Sequence, residues 1–292
     1  MTKQNNSKRS RWKLFLLIFN LAIIAIIAFF IIDNNRRIDI GFKVPNYNVV
    51  SEIAGLEDTK DFYQKGYDWY KSMENNDGIY LINTTYYSED ILASWQAGGI
   101  YENVPIKPFW QFIVSPSYLD IMGIDVASNN IEKAKNGARV FLIPDNYSND
   151  EKDMLERYFR EEAENAVSGK APVARKPEET IETAFYKNPE VAFATYTPNK
   201  EYFTFPSQKD APLTNDAPVI LISTSANMIY FESESLLATG INSYINIKDV
   251  NNYLDDSFIK DYGVKFSKMS REYKLAELSG YIEKGVNSIF EN

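Results

Sequence analysis

The longest apolar stretch lies near the start of the chain, from Leu14 to Ile32, and Asn20 is its one polar residue. As a helix it would extend about 28 Å, close to the roughly 30 Å hydrocarbon core of a bilayer. Its 19 residues exceed the apolar region of a signal peptide, which is usually about 7 to 15 residues long. Because the bulky residues at its end do not suit a signal peptidase, the pattern predicts an uncleaved transmembrane helix over residues 14–32.

The charges around this stretch predict the side of the membrane that each part of the chain occupies. Residues 1–13 hold five basic residues and no acid, whereas basic and acidic residues are mixed directly after residue 32. This bias places residues 1–13 in the cytoplasm as a basic tail and residues 33–292 outside the cell as an extracytoplasmic domain. The predicted location is therefore the cell membrane, with a single pass and most of the chain extracellular.

Beyond residue 33 the apolar positions recur at helical or strand spacing in short segments. Helical spacing and capping residues predict helices over Leu56 to Met73, Ser88 to Gly98, Ser148 to Ser168, Asp249 to Tyr262 and Ser267 to Phe290. Runs of branched and aromatic residues predict strands over Ile79 to Tyr86, Phe109 to Val114, Arg139 to Ile143, Val191 to Tyr196, Glu201 to Phe205, Val219 to Thr224 and Tyr244 to Ile247. The order predicts an α+β fold class: an N-terminal transmembrane helix, then a mixed α/β extracytoplasmic domain of one or two lobes, with a C-terminal stalk-like helix.

The composition excludes several kinds of site. The chain contains neither cysteine nor histidine, which excludes disulfides, thiolate and imidazole zinc sites, cysteine nucleophiles and Ser-His-Asp triads. Residues 1–32 carry a charge of +5, and since the whole chain carries −9, residues 33–292 carry −14. A domain this acidic repels phosphate backbones, which argues against nucleic-acid binding and favours cationic partners.

Two short patterns are typical of serine enzymes. Ser257 and Lys260 have Ser-x-x-Lys spacing, and Ser225-Ala226-Asn227 matches the Ser-x-Asn element of penicillin-binding enzymes. However, the Asn element should follow the nucleophile in the chain, and the Lys-Thr-Gly strand is missing. A carboxylate pair of the kind that glycosidases use cannot be recognised from the spacing of one sequence. The sequence therefore predicts no enzyme, no catalytic residue, no cofactor and no metal ligand.

Two further patterns have an ordinary structural explanation. The segment from Asp145 to Asp153 looks like a calcium loop, but Asp150 occupies the place of the obligatory glycine, which favours a helix start instead. Aromatic side chains that could stack on sugars are those of Trp69, Trp95, Phe109 and Trp110. Because they fall on helical and strand spacing, they are expected in the core.

Several motifs in the large domain resemble a known family. They are Trp95-Gln96-Ala97-Gly98-Gly99, Val104-Pro105-Ile106, Val114 to Leu119 leading to Met122-Gly123-Ile124, Val140 to Pro144, and Ala217-Pro218-Val219. Together they resemble the bacteriocin-associated integral membrane proteins of Gram-positive bacteria, an immunity group related to the ectodomain of ABC transporter permeases of the MacB and FtsX class. The glycine-arginine turn that usually follows Gly-Ile in the permeases is absent from this chain.

The resemblance implies a non-enzymatic, membrane-anchored ectodomain that acts in bacteriocin export or immunity through contacts with proteins or peptides. The implied partners are the membrane, an ABC ATPase, permease subunits and a cationic peptide. Since such permeases return to the membrane through a stalk helix, residues 267–292 are expected to form that stalk, cut before a second span. Two alternatives stay open: a stand-alone surface or adhesive protein, and a cell-wall hydrolase that uses carboxylates or Ser257 with Lys260.

Overall fold

Ten strands and eight α-helices are built from the described part of the chain, which in this computed structural model comprises residues 45–55, 61–170, 181–205, 211–212 and 214–272. The strands are β1 (Asn48–Ile53), β2 (Ile79–Tyr87), β3 (Phe109–Val114), β4 (Arg139–Pro144), β5 (Val191–Tyr196), β6 (Tyr202–Phe203), β7 (Thr214–Asn215), β8 (Val219–Ile222), β9 (Ile245–Ile247) and β10 (Val264–Lys268). The helices are α1 (Phe62–Met73), α2 (Glu89–Gly98), α3 (Pro116–Met122), α4 (Ser128–Lys135), α5 (Asn149–Ser168), α6 (Ala184–Lys187), α7 (Tyr230–Ser235) and α8 (Ser257–Asp261).

Eight of these strands form one sheet in the order β10-β1-β9-β2-β3-β8-β4-β5, while β6 and β7 pair separately. Most neighbours in the sheet run antiparallel, but β3 is parallel to β8 and β4 is parallel to β5. The strands β3, β4 and β8 are buried along their whole length. Their nearly continuous apolar sequences are typical of strands that are covered on both faces.

The predicted fold class is wrong for this domain. Helices and strands alternate along the chain, and parallel and antiparallel pairs share a single eight-stranded sheet, so the domain is a mixed α/β fold rather than an α+β fold of two lobes. The described residues from Asn46 onward group into one compact unit. The spacing of strands in a sequence does not specify that β8 inserts between β3 and β4, and this insertion joins the two halves of the sheet.

The membrane elements of the predicted fold lie largely outside the described residues. Among the described residues, no helix combines the length and the apolarity that a bilayer crossing requires. The apolar stretch of residues 14–32 and the larger part of the predicted stalk, residues 273–292, lie outside the described residues. The first two residues of the predicted stalk, Ser267 and Lys268, belong to β10, which pairs with β1, whereas residues 269–272 are helical as predicted.

Several helix boundaries follow their local sequence signals. The Ser88 side chain accepts a hydrogen bond from the Ile91 N–H at the start of α2, and Gly99 ends that helix in the left-handed conformation. Ser148 and Glu151 form the predicted capping box at the start of α5. These predictions are confirmed because capping depends on residues that are close in sequence.

The predicted helix from Asp249 to Tyr262 is wrong. The segment instead forms a short 3₁₀ turn, Val250–Asn252, followed by α8. The Asp249 side chain accepts a hydrogen bond from the Asn251 N–H at 3.0 Å, and the Asp256 side chain accepts one from the Phe258 N–H at 2.9 Å. Each aspartate therefore begins its own turn, because side-chain bonds to nearby backbone compete with a continuous helix.

Candidate functional site

A polar cleft opens where the parallel strands β3 and β8 end. Their carboxyl ends lie at the same edge of the sheet, and open α/β sheets tend to bind ligands outside this edge. The cleft has a volume of about 700 Å³, within the roughly 300 to 1,000 Å³ of small-molecule sites. The residues that define this β3/β8 cleft include Tyr70, Lys71, Glu74, Asp77, Ser115, Ser117, Lys135, Thr224 and Ser225.

Two serines directly after β3 form one wall of the cleft. Ser115 accepts a hydrogen bond from the Leu81 N–H at 3.1 Å, and its hydroxyl lies 3.0 Å from that of Ser117. The Ser117 hydroxyl donates to the Ile79 carbonyl at 3.1 Å. These bonds attach the end of β3 to β2, so the wall is fixed by the sheet rather than by a free loop.

The opposite wall is the turn that follows β8. Glu74, directly after α1, accepts hydrogen bonds from the Ser225 hydroxyl at 2.6 Å and from the Ser225 N–H at 2.7 Å. Tyr67 donates to the Ser225 carbonyl at 2.8 Å. Three groups of one residue are thereby bound by α1, which holds Ser225 in a single position at the cleft.

Asn227 stabilises the same turn from inside the protein core. Its side chain is fully buried, donates to the carbonyls of Ala138 and Ile222 at 2.8 Å each, and accepts from the Thr224 N–H at 2.9 Å. The Ser-x-Asn element identified in the sequence therefore has a structural role. It joins β8 to β4 and does not present the asparagine amide to a ligand.

Tyr70 lines the cleft, and its hydroxyl is buried without a hydrogen-bond partner among the described residues. Its side chain is 1% exposed, and its oxygen bonds to no other group. Burial, followed by the negative charge of Glu74, raises the pKa of Tyr70 well above its ordinary value. The hydroxyl therefore keeps its proton and is available as a hydrogen-bond donor.

The formal charges that line the cleft cancel. Lys71 and Lys135 contribute two positive charges, and Glu74 and Asp77 contribute two negative charges. The Lys135 amine lies 3.3 Å from the Glu132 carboxylate on α4, and both side chains are largely exposed. A surface with both signs of charge, hydroxyls and amides suits the alternating donors and acceptors of a peptide.

The two residues of the Ser-x-x-Lys pattern lie elsewhere. Ser257 begins α8 and borders a separate shallow depression beside Trp69, whereas Ser225 borders the β3/β8 cleft. The Lys260 amine lies 2.7 Å from the carboxylate of Asp255. No hydrogen bond joins Lys260 to Ser257, both of which the structure describes, so the contact that nucleophile activation needs is missing.

The aromatic residues considered as sugar platforms belong to the core, as expected. Trp69, Phe109 and Trp110 are each at most 5% exposed. Trp95 is stacked on Tyr158 with ring centres 5.7 Å apart and packs against the main hydrophobic cluster. The three buried rings therefore offer no open face on which a sugar could stack, and Tyr158 covers one face of the half-buried Trp95 ring.

The segment from Asp145 to Asp153 is a helix start, as the sequence favoured. Glu151 accepts hydrogen bonds from the Ser148 N–H and hydroxyl at 2.8 Å each, and its carboxylate pairs with Lys107. The Lys107 contact and then the bonds from Ser148 lower the pKa of Glu151 to about 2. In the described part of the chain no group of three acidic side chains is placed to hold a metal ion.

Sequence reasoning missed Tyr70, Glu74 and Ser115 as site residues. Tyr70 has the helical spacing of an ordinary core residue, and only the three-dimensional structure shows that its hydroxyl is unpaired. The one available signal was the polar sequence after each of two buried strands, Ser115-Pro116-Ser117 and Ser223-Thr224-Ser225. That signal required knowledge that β3 and β8 are parallel neighbours.

Comparison with known proteins adds no relative. The chain matches no family model, no curated protein and no solved structure. The resemblance to the bacteriocin-associated membrane proteins therefore stays a prediction from short motifs, and the geometry of the cleft carries the functional argument.

Proposed function

We propose that this chain is a non-enzymatic binding protein of the cell membrane, and that its β3/β8 cleft holds a polar stretch of a cationic peptide. The attachment to the membrane rests on the apolar sequence of residues 14–32 and the five basic residues before it. The role as a binding protein rests on the cleft.

The observation that carries this proposal is the unpaired hydroxyl of Tyr70. A buried polar group without a partner costs about 1 to 3 kcal/mol, and folded proteins rarely retain one without a reason. Since Tyr70 lines the cleft, a ligand carbonyl that reaches this buried hydroxyl would accept its hydrogen bond and remove that cost.

The charge of the domain supports a cationic peptide. Residues 33–292 carry −14, so the summed field attracts cations over distances longer than a contact. Within the cleft, Glu74 and Asp77 can receive basic side chains while Lys71 and Lys135 can receive carbonyls or a carboxylate. Attraction at long range and polar contacts at short range thus point to the same class of ligand.

The motif resemblance suggests the biological setting. A peptide-binding domain held at the membrane would suit bacteriocin export or immunity, with an ABC ATPase and permease subunits as partners. The pairing of Lys260 with Asp255 argues against a cell-wall hydrolase that uses Ser257 with Lys260.

The first experiment measures peptide binding by fluorescence anisotropy with the detergent-solubilised full chain. The probes are two labelled decapeptides of alternating residues, one of lysine and glycine and one of glutamate and glycine. We expect the lysine peptide to bind and its affinity to fall at least about tenfold between 20 and 150 mM salt, because screening shortens the reach of the acidic field.

The glutamate peptide is the matched control, since it has the same length and backbone. Equal binding of both peptides, or binding of neither, would contradict the proposed ligand class. If the affinity for the lysine peptide does not change with salt concentration, the proposed attraction by the acidic surface is wrong.

A further inference from the structure

β5 is the last strand at one end of the eight-stranded sheet, and its outer side has no neighbouring strand among the described residues. The Arg139 N–H donates to the Glu190 carbonyl, and the Asp145 N–H donates to the Tyr196 carbonyl. Backbone groups of a strand alternate between its two sides, so the even-numbered residues of β5 face β4. Val191, Phe193 and Thr195 therefore direct their N–H and C=O groups to the open side.

This edge lacks the features that normally prevent strand pairing. Its sequence, Val-Ala-Phe-Ala-Thr-Tyr, contains no charged residue, no proline and no glycine, and no bulge interrupts its register with β4. Natural proteins usually protect such edges with charges, prolines or bulges. The open side of β5 is therefore suited to receive another strand.

The edge fits a second copy of the same strand. In an antiparallel pair centred on Phe193, Val191 lies opposite Thr195 of the partner subunit, and Phe193 lies opposite its own counterpart. Each strand directs three N–H groups and three C=O groups to its open side. In this register all six form hydrogen bonds with the partner strand. Because β5 is uncharged, the pairing brings no like charges together even though the domain is acidic. A cationic peptide would find no carboxylate on this strand.

We infer that two copies of this chain associate through antiparallel pairing of their β5 strands, which joins their sheets into one. The β5 edge lies at one end of the sheet, whereas the β3/β8 cleft lies at two strands in the middle of the sheet. The inference does not depend on the proposed ligand, and each can fail without the other.

The first test measures the molar mass of the detergent-solubilised full chain by light scattering after size-exclusion chromatography, over a range of concentrations. We expect a dimer whose dissociation constant rises at least tenfold with Thr195→Pro, because proline removes an outward donor and leaves the bonds to β4 intact. Thr195→Val is the matched control, since it keeps the N–H and should leave the dimer unchanged.

The second test uses the absence of cysteine from the natural chain. In the double variant Val191→Cys, Thr195→Cys, the proposed register brings each cysteine opposite one of the partner subunit, at a separation that disulfides tolerate. We expect a disulfide-linked dimer after mild oxidation, which reducing agent converts to monomer. A chain that stays monomeric, a dimer that Thr195→Pro leaves intact, or a double variant that does not cross-link would overturn the inference.

Discussion

The residue with the most unusual environment is Arg139, a cation buried at the start of β4. Its side chain is 1% exposed and donates two hydrogen bonds of 2.9 Å to the carboxylate of Glu232. A second buried carboxylate, Glu162, lies 3.6 Å away. Burial raises the pKa of Glu162 despite the nearby Arg139, and the charge of Glu232 adds to the rise. The two carboxylates therefore have different roles around one cation.

This difference predicts opposite results for two matched substitutions. Glu232→Gln removes the carboxylate that accepts both 2.9 Å hydrogen bonds from Arg139 and should lower the free energy of unfolding by about 3 to 5 kcal/mol. Glu162→Gln should cost little or be stabilising at neutral pH, because it removes a carboxylate whose ionisation is opposed by burial. Chemical denaturation of the full chain in detergent measures both.

The pH dependence of the stability tests whether the pKa of Glu162 is raised in the folded protein. A carboxylate with a raised pKa in the folded state contributes stability below its unfolded pKa of about 4.5, and this contribution is lost as pH rises through its folded pKa. The stability of the wild type relative to Glu162→Gln should therefore fall as pH rises from about 4.5. A difference that stays constant with pH would show that Glu162 does not titrate in this way.

At the level of helices and strands, the packing of α1 depends on a glycine. A Cβ atom on Gly66 would lie 2.5 Å from the Leu237 side chain, which follows α7, so an added methyl group would force that side chain to move. In contrast, a Cβ atom on Gly98, at the end of α2, would make an ordinary contact of 3.4 Å with Ile100. Two helical glycines thus differ in what surrounds them.

Alanine substitutions at these two positions should separate the effect of packing on stability from the effect of helix propensity. We expect Gly66→Ala to lower the free energy of unfolding by about 1 to 3 kcal/mol, because the core at α1 becomes overpacked. Gly98→Ala should be neutral or raise it by up to about 1 kcal/mol, since alanine favours the helix. Thermal unfolding monitored by circular dichroism compares the two, and equal effects would argue against the close contact.

The sequence predicted those elements whose determinants are local. The Ser88 and Ser148 caps and the Gly99 terminus were found because each depends on residues within one turn. The pair β1 and β10 was missed because Asn48 pairs with Lys268 across nearly the whole domain. The candidate site was missed for the same reason, since Tyr70, Ser115 and Ser225 meet only when β3 and β8 become parallel neighbours.

For the whole molecule, one sheet connects three properties. Its middle strands hold the walls of the β3/β8 cleft, one terminal strand has no outer neighbour among the described residues, and the sequence after residue 32 is strongly acidic. The cleft walls are fixed by hydrogen bonds to β2 and to α1, so ligand binding should require little rearrangement of the backbone. A preformed site of this kind loses little affinity to ordering costs.

The most direct test of the cleft as a binding site compares Tyr70→Phe with Tyr67→Phe in peptide affinity and thermal stability. Tyr70→Phe should weaken binding of the lysine peptide about tenfold and leave the melting temperature unchanged or higher, because it removes a hydroxyl that is unpaired without ligand. Tyr67→Phe should lower the melting temperature, since its hydroxyl donates to the Ser225 carbonyl at 2.8 Å. Unchanged affinity in a folded Tyr70→Phe variant would contradict the proposed site.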